Sequence, residues 1–181
     1  MFNQWKAVNY PQNHQIDNII DVNTGEVKTG IGSRILRSNA IGSCIAVAVY
    51  DPRSKAGGLA HIMLPGASRE GNTNTKYAQD AIHELLRKMS DLGVKKDKLT
   101  ACIVGGGNVL RRKNEILCLT NINYVTKLLK QERIPVMAKS LGGLERRTLT
   151  LDLNKGTVKY TVGNRAEDIL WIFKAEKPVT E

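Results

Sequence analysis

A chain of 181 residues with 41% hydrophobic and 24% charged residues has the composition of a soluble globular protein, most economically one domain. Disorder, a collagen repeat and a coiled coil are excluded, and no apolar run reaches membrane-spanning length. The 27 Lys plus Arg against 17 Asp plus Glu give a formal net charge of +10. The excess is spread along the chain, with six basic residues and one acidic residue over 28–69, so a broad positive field is expected, not a basic tail. Such a field suits an acidic partner of any class.

Residues 1–30 are polar, with Pro11 and a turn at Asn23, Thr24 and Gly25, and read as an irregular arm that ends in a short hairpin and carries no chemistry. The run 45–50 (IAVAVY) and the segment 58–65 (GLAHIMLP) read as two strands of a buried hairpin, the second stopped by Pro65. A helix is predicted over 75–92, capped by Thr73 or Asn74 and ended by Gly93. Its apolar face carries Tyr77, Ala78, Ala81, Ile82, Leu85, Leu86, Met89 and Leu92. The segment 100–107 (TACIVGGG) reads as a strand entering a glycine turn, and 120–132 as a shorter helix burying Ile122, Val125, Leu128 and Leu129. Strands return at IPVMAKSL, RRTLTLDL, TVKYTV and ILWIF, with Asn154 to Gly156 turning between two of them. Six or seven strands and two main helices, not strictly alternating, argue for a single-domain α+β layered sandwich.

The glycine run at 105–107 lacks GxxxxGK(S/T) and the dinucleotide fingerprint, and reads as a tight turn, not a phosphate loop. The basic runs Arg111, Arg112, Lys113 and Arg146, Arg147 read as solvated faces. Nucleic-acid binding has the basic charge behind it, but nine aromatics with no recognition motif argue against it. Three cysteines, an odd count without a CxxC pair, and no apolar signal segment point to a reducing cytoplasm, and their spacing fits no common zinc module. No metal or cofactor is expected.

A thiol nucleophile needs a base, a group that orients the base, and donors for an oxyanion. Cys44 stands at a glycine-containing turn entering a strand (IGSCIAV), whereas Cys102 and Cys118 lie among apolar neighbours and read as core thiols. His14 lies in the polar arm and His83 off the apolar helix stripe. His61 sits inside the apolar strand LAHIML, where an imidazole must find a partner. The hairpin brings Cys44 and His61 into one region. As residues alone, that pair is open to two readings, a catalytic dyad and a satisfied core histidine beside a free thiol.

The stretch RSNAIGSCIAVAVYDPRSKAGGLAHIMLP, followed by KYAQDAIHELLRKMSDLG, LTACIVGGGNVL and LLKQERIPVMAKSLGGLERRTLTLDLNKGTVKYT, resembles the chemoreceptor glutamine deamidases, the CheD family of bacterial chemotaxis. The resemblance covers roughly residues 30–162 and divides the chain into an arm (1–30), a deamidase domain (31–175) and a tail (176–181). It implies a fold similar to toxin-type cysteine deamidases. The implied reaction converts glutamine side chains of methyl-accepting chemotaxis receptors to glutamate with release of ammonia. By resemblance Cys44 is the nucleophile, His61 the proton carrier and Ser38 the group that orients it, with Ser43 and Gly42 at the oxyanion or substrate side. The implied partners are the receptors and a CheC-type phosphatase; nucleic acid and membrane insertion are not expected.

Three features depart from the family pattern. Ser38 stands where a threonine is usual, which keeps the hydroxyl but loses the methyl that restricts its rotamer. The glycine turn reads GGG in place of GGA, and CLTN (118–121) replaces a stretch usually rich in glycine, arginine and asparagine, so that a changed surface contact is expected there. These departures leave open a catalytically weak or inactive docking protein of the same fold. Transglutamination, with an amine in place of water, shares the same intermediate.

Overall fold

The computed structural model describes residues 18–69 and 72–175. Among the described residues ten strands and two α-helices form three layers. The first sheet has the order β1 (Ile19–Asp21), β3 (Ile35–Ile41), β8 (Arg147–Asp152), β9 (Thr157–Val162), β10 (Asp168–Ile172). The second has the order β2 (Val27–Ile31), β5 (Ala56–Ile62), β4 (Ile45–Asp51), β6 (Thr100–Gly105), β7 (Val136–Leu141). Only the β1–β3 and β6–β7 pairs are parallel. Helices α1 (Ala78–Asp91) and α2 (Leu117–Gln131) cover the outer face of the second sheet.

Two apolar cores result, one on each face of the second sheet. Ile45, Val47 and Val49 of β4 face α1 and α2, while Ala46, Ala48 and Tyr50 face the first sheet, where Leu36, Leu149, Leu151 and Val158 meet them. Strand β4 is therefore buried along its whole length, which is why its sequence is a continuous apolar run and not an alternating one. Strand β8 has only one covered face and alternates accordingly. The Tyr50 hydroxyl donates to Leu153 O at 2.6 Å, and its ring stacks on Phe173 at 5.3 Å between centroids, closing the inter-sheet core away from the Cys44 end of β4.

Several expectations change in detail. The turn at Asn23 to Gly25 is present, but the strands on either side of it, β1 and β2, enter different sheets and form no hairpin with each other. Residues 19–31 are thus framework, not irregular arm; 1–17, with Pro11 and His14, and the tail 176–181 lie outside the described residues. Three strands, β1, β2 and β3, add to the seven read from the sequence. Helix α1 begins at Ala78, because Lys76 O accepts the amides of Met63 and Leu64 and holds the preceding residues extended beside the end of β5. Tyr77 stands at its N-cap without a side-chain bond, and Asp80 takes the amides of Asn74 and Ser68. Gly93 follows the helix at φ +79°, as the stop signal requires. Helix α2 starts three residues earlier than expected, with the Leu117 amide on Glu115.

Candidate active site

The β4–β5 ladder pairs Ala46 with His61. Directly opposed residues share a face, and Cys44, two residues before Ala46, is on that same inter-sheet side. Across the interface, Ser38 projects from the inner face of β3. Both Ser38 and His61 are buried, and Ser38 Oγ lies 2.8 Å from His61 Nδ1 and donates to Val22 O at 3.1 Å. A hydroxyl has one proton. With that proton committed to Val22, the imidazole must carry its own on Nδ1 and donate it to Ser38, which leaves Nε2 as the unprotonated, basic nitrogen.

Burial is the larger influence on His61 and holds its pKa below the ordinary imidazole value, against the opposing pull of the Val22 carbonyl. The half-buried Cys44 thiol is pushed up, first by burial and further by the neighbouring Cys118, while its own backbone amide pulls the other way. Near neutral pH the pair is thus a thiol beside a neutral imidazole, not a preformed ion pair. Cys44 Sγ and His61 Nε2 are not hydrogen-bonded to each other, and Thr24 Oγ1 stands 3.4 Å from Nε2.

The turn before β4 is gripped from behind at three successive carbonyls. Gly42 O accepts the Gly107 amide at 2.8 Å, Ser43 O accepts Asn121 Nδ2 at 2.9 Å, and Cys44 O accepts the Gly106 amide at 2.8 Å. In a trans peptide the carbonyl and the following N–H point in opposite directions. Fixing Gly42 O and Ser43 O therefore turns the amides of Ser43 and Cys44 the other way, and neither donates to another described residue, the Cys44 amide lying against its own thiol. Two unoccupied donors beside a thiol are the arrangement an oxyanion requires. Gly42, Ser43 and Cys44 line a cleft of about 310 Å³ together with Asn108, Arg112, Cys118 and Arg146; the buried Ser38 and His61 do not line it.

Gly105 makes this approach possible. Its φ is +130°, and an added Cβ would overlap Cys44 O. The glycine run is a close-packing turn, as its spacing indicated, and it makes room for the Cys44 backbone.

Other sequence candidates separate clearly. Cys102 is sealed in the inter-sheet core, its thiol pushed up to about 12 by burial. Cys118 is buried but forms part of the cleft wall, and His83 is exposed beside Glu132. Arg147 is not on a solvated face: it is buried, donating to Ser140 Oγ and Glu145 O. Exposed Arg146 and Arg112 border the cleft. The N-terminal segment, read as an arm without chemistry, places Val22 O and Thr24 Oγ1 against the Ser38–His61 pair. Asn121, expected as part of a surface change, is fully buried. Among the described residues no group of three His, Cys, Asp or Glu side chains is placed to hold a metal, and no helix is long and apolar enough to cross a membrane.

Compared with known proteins, residues 63–162 match the family model described as CheD chemotactic sensory transduction. The chain is 35% identical over 164 residues to a probable chemoreceptor glutamine deamidase CheD of Chlorobium luteolum, covering 90% of this chain and 81% of that protein. A protein of the same description from Desulfitobacterium hafniense is 34% identical over 160 residues, 86% of this chain and all of the relative. Another, from Clostridium botulinum, is 38% identical over 146 residues, 74% and 90% of the two chains. The family-model match begins just after His61, whereas a contiguous match over 90% of the chain also spans 38–61.

Gly105→Ala should destabilise the protein by about 2 kcal/mol or more in urea unfolding, from backbone strain plus the collision with Cys44 O. Gly32→Ala, at φ +73° with nothing within 4 Å, should cost only about 1 kcal/mol; equal losses at the two positions would show that the Cys44 turn is not held by close packing.

Proposed function

This chain belongs to the CheD chemotactic sensory transduction family, and on that premise we propose that it is a chemoreceptor glutamine deamidase with Cys44 as nucleophile, His61 as proton carrier and Ser38 as the group that orients His61. The observation that carries this reading is the Val22–Ser38–His61 relay on the face of the sheet that also bears Cys44, with the amides of Ser43 and Cys44 unoccupied.

The relatives' names supply the substrate, a receptor glutamine side chain. Cys44 Sγ attacks the carboxamide carbon as its proton passes to His61 Nε2. The resulting imidazolium is stabilised through Nδ1–H on Ser38. The amide oxygen, now negative, accepts from the N–H groups of Ser43 and Cys44. Collapse breaks the C–N bond, with His61 returning its proton to the nitrogen so that ammonia leaves and a thioester remains on Cys44. Water, deprotonated by the same Nε2, attacks the thioester and releases glutamate and the free thiol. The net change is carboxamide plus water to carboxylate plus ammonium, with no electron transfer. Gly42 acts through its carbonyl, which anchors the turn, and Ser43 through its amide.

The reading extends to partners and place. The net charge of +10 favours encounter with an acidic receptor surface. A CheC-type phosphatase partner and a reducing cytoplasmic location follow from the family resemblance and the free thiols, and belong to the same proposal. Titration of the protein with a purified CheC-type phosphatase tests the former.

Incubation with a receptor cytoplasmic fragment should raise the mass of selected glutamines by about one dalton with wild type and not with Cys44→Ala. Ser38→Ala should lower kcat by about tenfold or more, while Ser38→Thr, which keeps the hydroxyl, retains most of it. Unchanged glutamines with binding retained would leave the docking-protein alternative in place.

The pH profile should follow from the two directions of shift. Catalysis needs neutral His61, whose pKa is lowered, so the acid limb of kcat/KM should fall below the ordinary imidazole value of about 6.5. It also needs the Cys44 proton for the departing ammonia, and that thiol is raised, so the alkaline limb should lie above the ordinary thiol value. A narrow bell centred between two values on the acid side of neutrality would contradict this assignment.

A further inference from the structure

We infer that Asn121 is a positioning residue for the Cys44 site: its amide group sets the direction of the Cys44 N–H and ties the nucleophile's turn to the strand that carries His61. The catalytic consequence rests on the deamidase reading; the geometry does not.

Asn121 is the fifth residue of α2 and is fully buried. Asparagine is a poor helix former because its side chain competes for backbone partners, and a buried amide must be fully bonded or it costs stability. Packing alone would favour an apolar side chain here. The Nδ2 group donates one proton to Ser43 O at 2.9 Å and the other to Met63 O at 3.0 Å. Oδ1 is buried with no partner. The side chain is thus held by its donors alone, while its acceptor is left at a cost of about 1–3 kcal/mol.

The two carbonyls explain what that cost supports. The β4–β5 ladder ends at the Ile45–Ile62 pair. Beyond it the chains part, one through Ser43 toward the cleft and the other through Met63 toward α1. Asn121 Nδ2 bridges one carbonyl from each, serving as an extra rung supplied from the helix. Ser43 O belongs to the same peptide unit as the Cys44 N–H, so fixing that oxygen fixes the hydrogen on the opposite side. Of the three grips on the turn, this one controls the amide adjoining the nucleophile. Met63 is two residues past His61, so the same group limits how far nucleophile and base strands separate.

A residue that aims an oxyanion donor acts on the transition state and leaves substrate binding alone. Removing an oxyanion donor outright costs about 10²–10³ in kcat; misdirecting one should cost about 10- to 100-fold. The test compares wild type, Asn121→Asp, which is nearly isosteric but has at most one proton to donate in place of two, and Asn121→Ala. Two readouts are taken: kcat and KM on a receptor cytoplasmic fragment, and the pH dependence of iodoacetamide alkylation at Cys44, located by peptide mass spectrometry. Expected are folded variants with kcat lowered about 10- to 100-fold, KM within twofold, and a displaced alkylation profile. Variants that fold and keep both kcat and the profile overturn the inference. So does failure of both variants to fold, which would make Asn121 a residue of the fold and not of the site. Should wild type itself leave receptor glutamines unchanged, the deamidase reading falls and the alkylation profiles alone decide the role of Asn121.

Discussion

One hydrogen bond joins the two sheets at the site, from His61 Nδ1 on β5 to Ser38 Oγ on β3. It exists only because the inter-sheet core brings those strands together, and it survives because Val22 O satisfies the serine's own proton. Both side chains are buried, where an unpaired hydroxyl or imidazole would be costly. The relay therefore fixes a tautomer by exclusion of alternatives. The same burial lowers the imidazole's pKa and keeps it in the form that accepts a proton.

The Cys44 thiol is held differently, through backbone. Three carbonyls in succession, of Gly42, Ser43 and Cys44, are bonded by Gly107, Asn121 and Gly106. Two grips come from the glycine turn that ends β6 and one from α2, so the turn before β4 is held from two separate elements. His61 is thus aligned by side chains on the inter-sheet face, and the thiol by peptide groups at the strand's mouth. Thr24 Oγ1, at 3.4 Å from Nε2, occupies the remaining side of the ring.

Much of this was legible in the sequence where burial leaves a simple pattern. The unbroken run IAVAVY marked a strand covered on both faces, and GLAHIML its partner, so Cys44 and His61 could be brought into one region before the register was known. The register itself, Ala46 opposite His61, is a property of three-dimensional pairing. Strand β3 escaped notice because Ser38 and Asn39 interrupt its apolar alternation, and Ser38 occupies an inward position for the relay's sake. Local rules fail there because the buried serine is satisfied by its bonds to Val22 and His61. Strands β1 and β2 are short edge strands with weak patterns, and the turn between them resembles a hairpin turn while feeding two sheets. Asn121 is legible only as part of the CLTN departure and reads as surface: an asparagine between Thr120 and Ile122 looks solvent-facing until the packing of α2 on the second sheet is seen.

The central claim is that Cys44 becomes acylated. Acid quench of the enzyme during turnover of a glutamine peptide, followed by intact mass measurement, tests it most directly. The account predicts a species equal to enzyme plus peptide less one ammonia, with the adduct mapped to Cys44. Turnover that persists in Cys44→Ala, or an adduct mapped to Cys118, would contradict it.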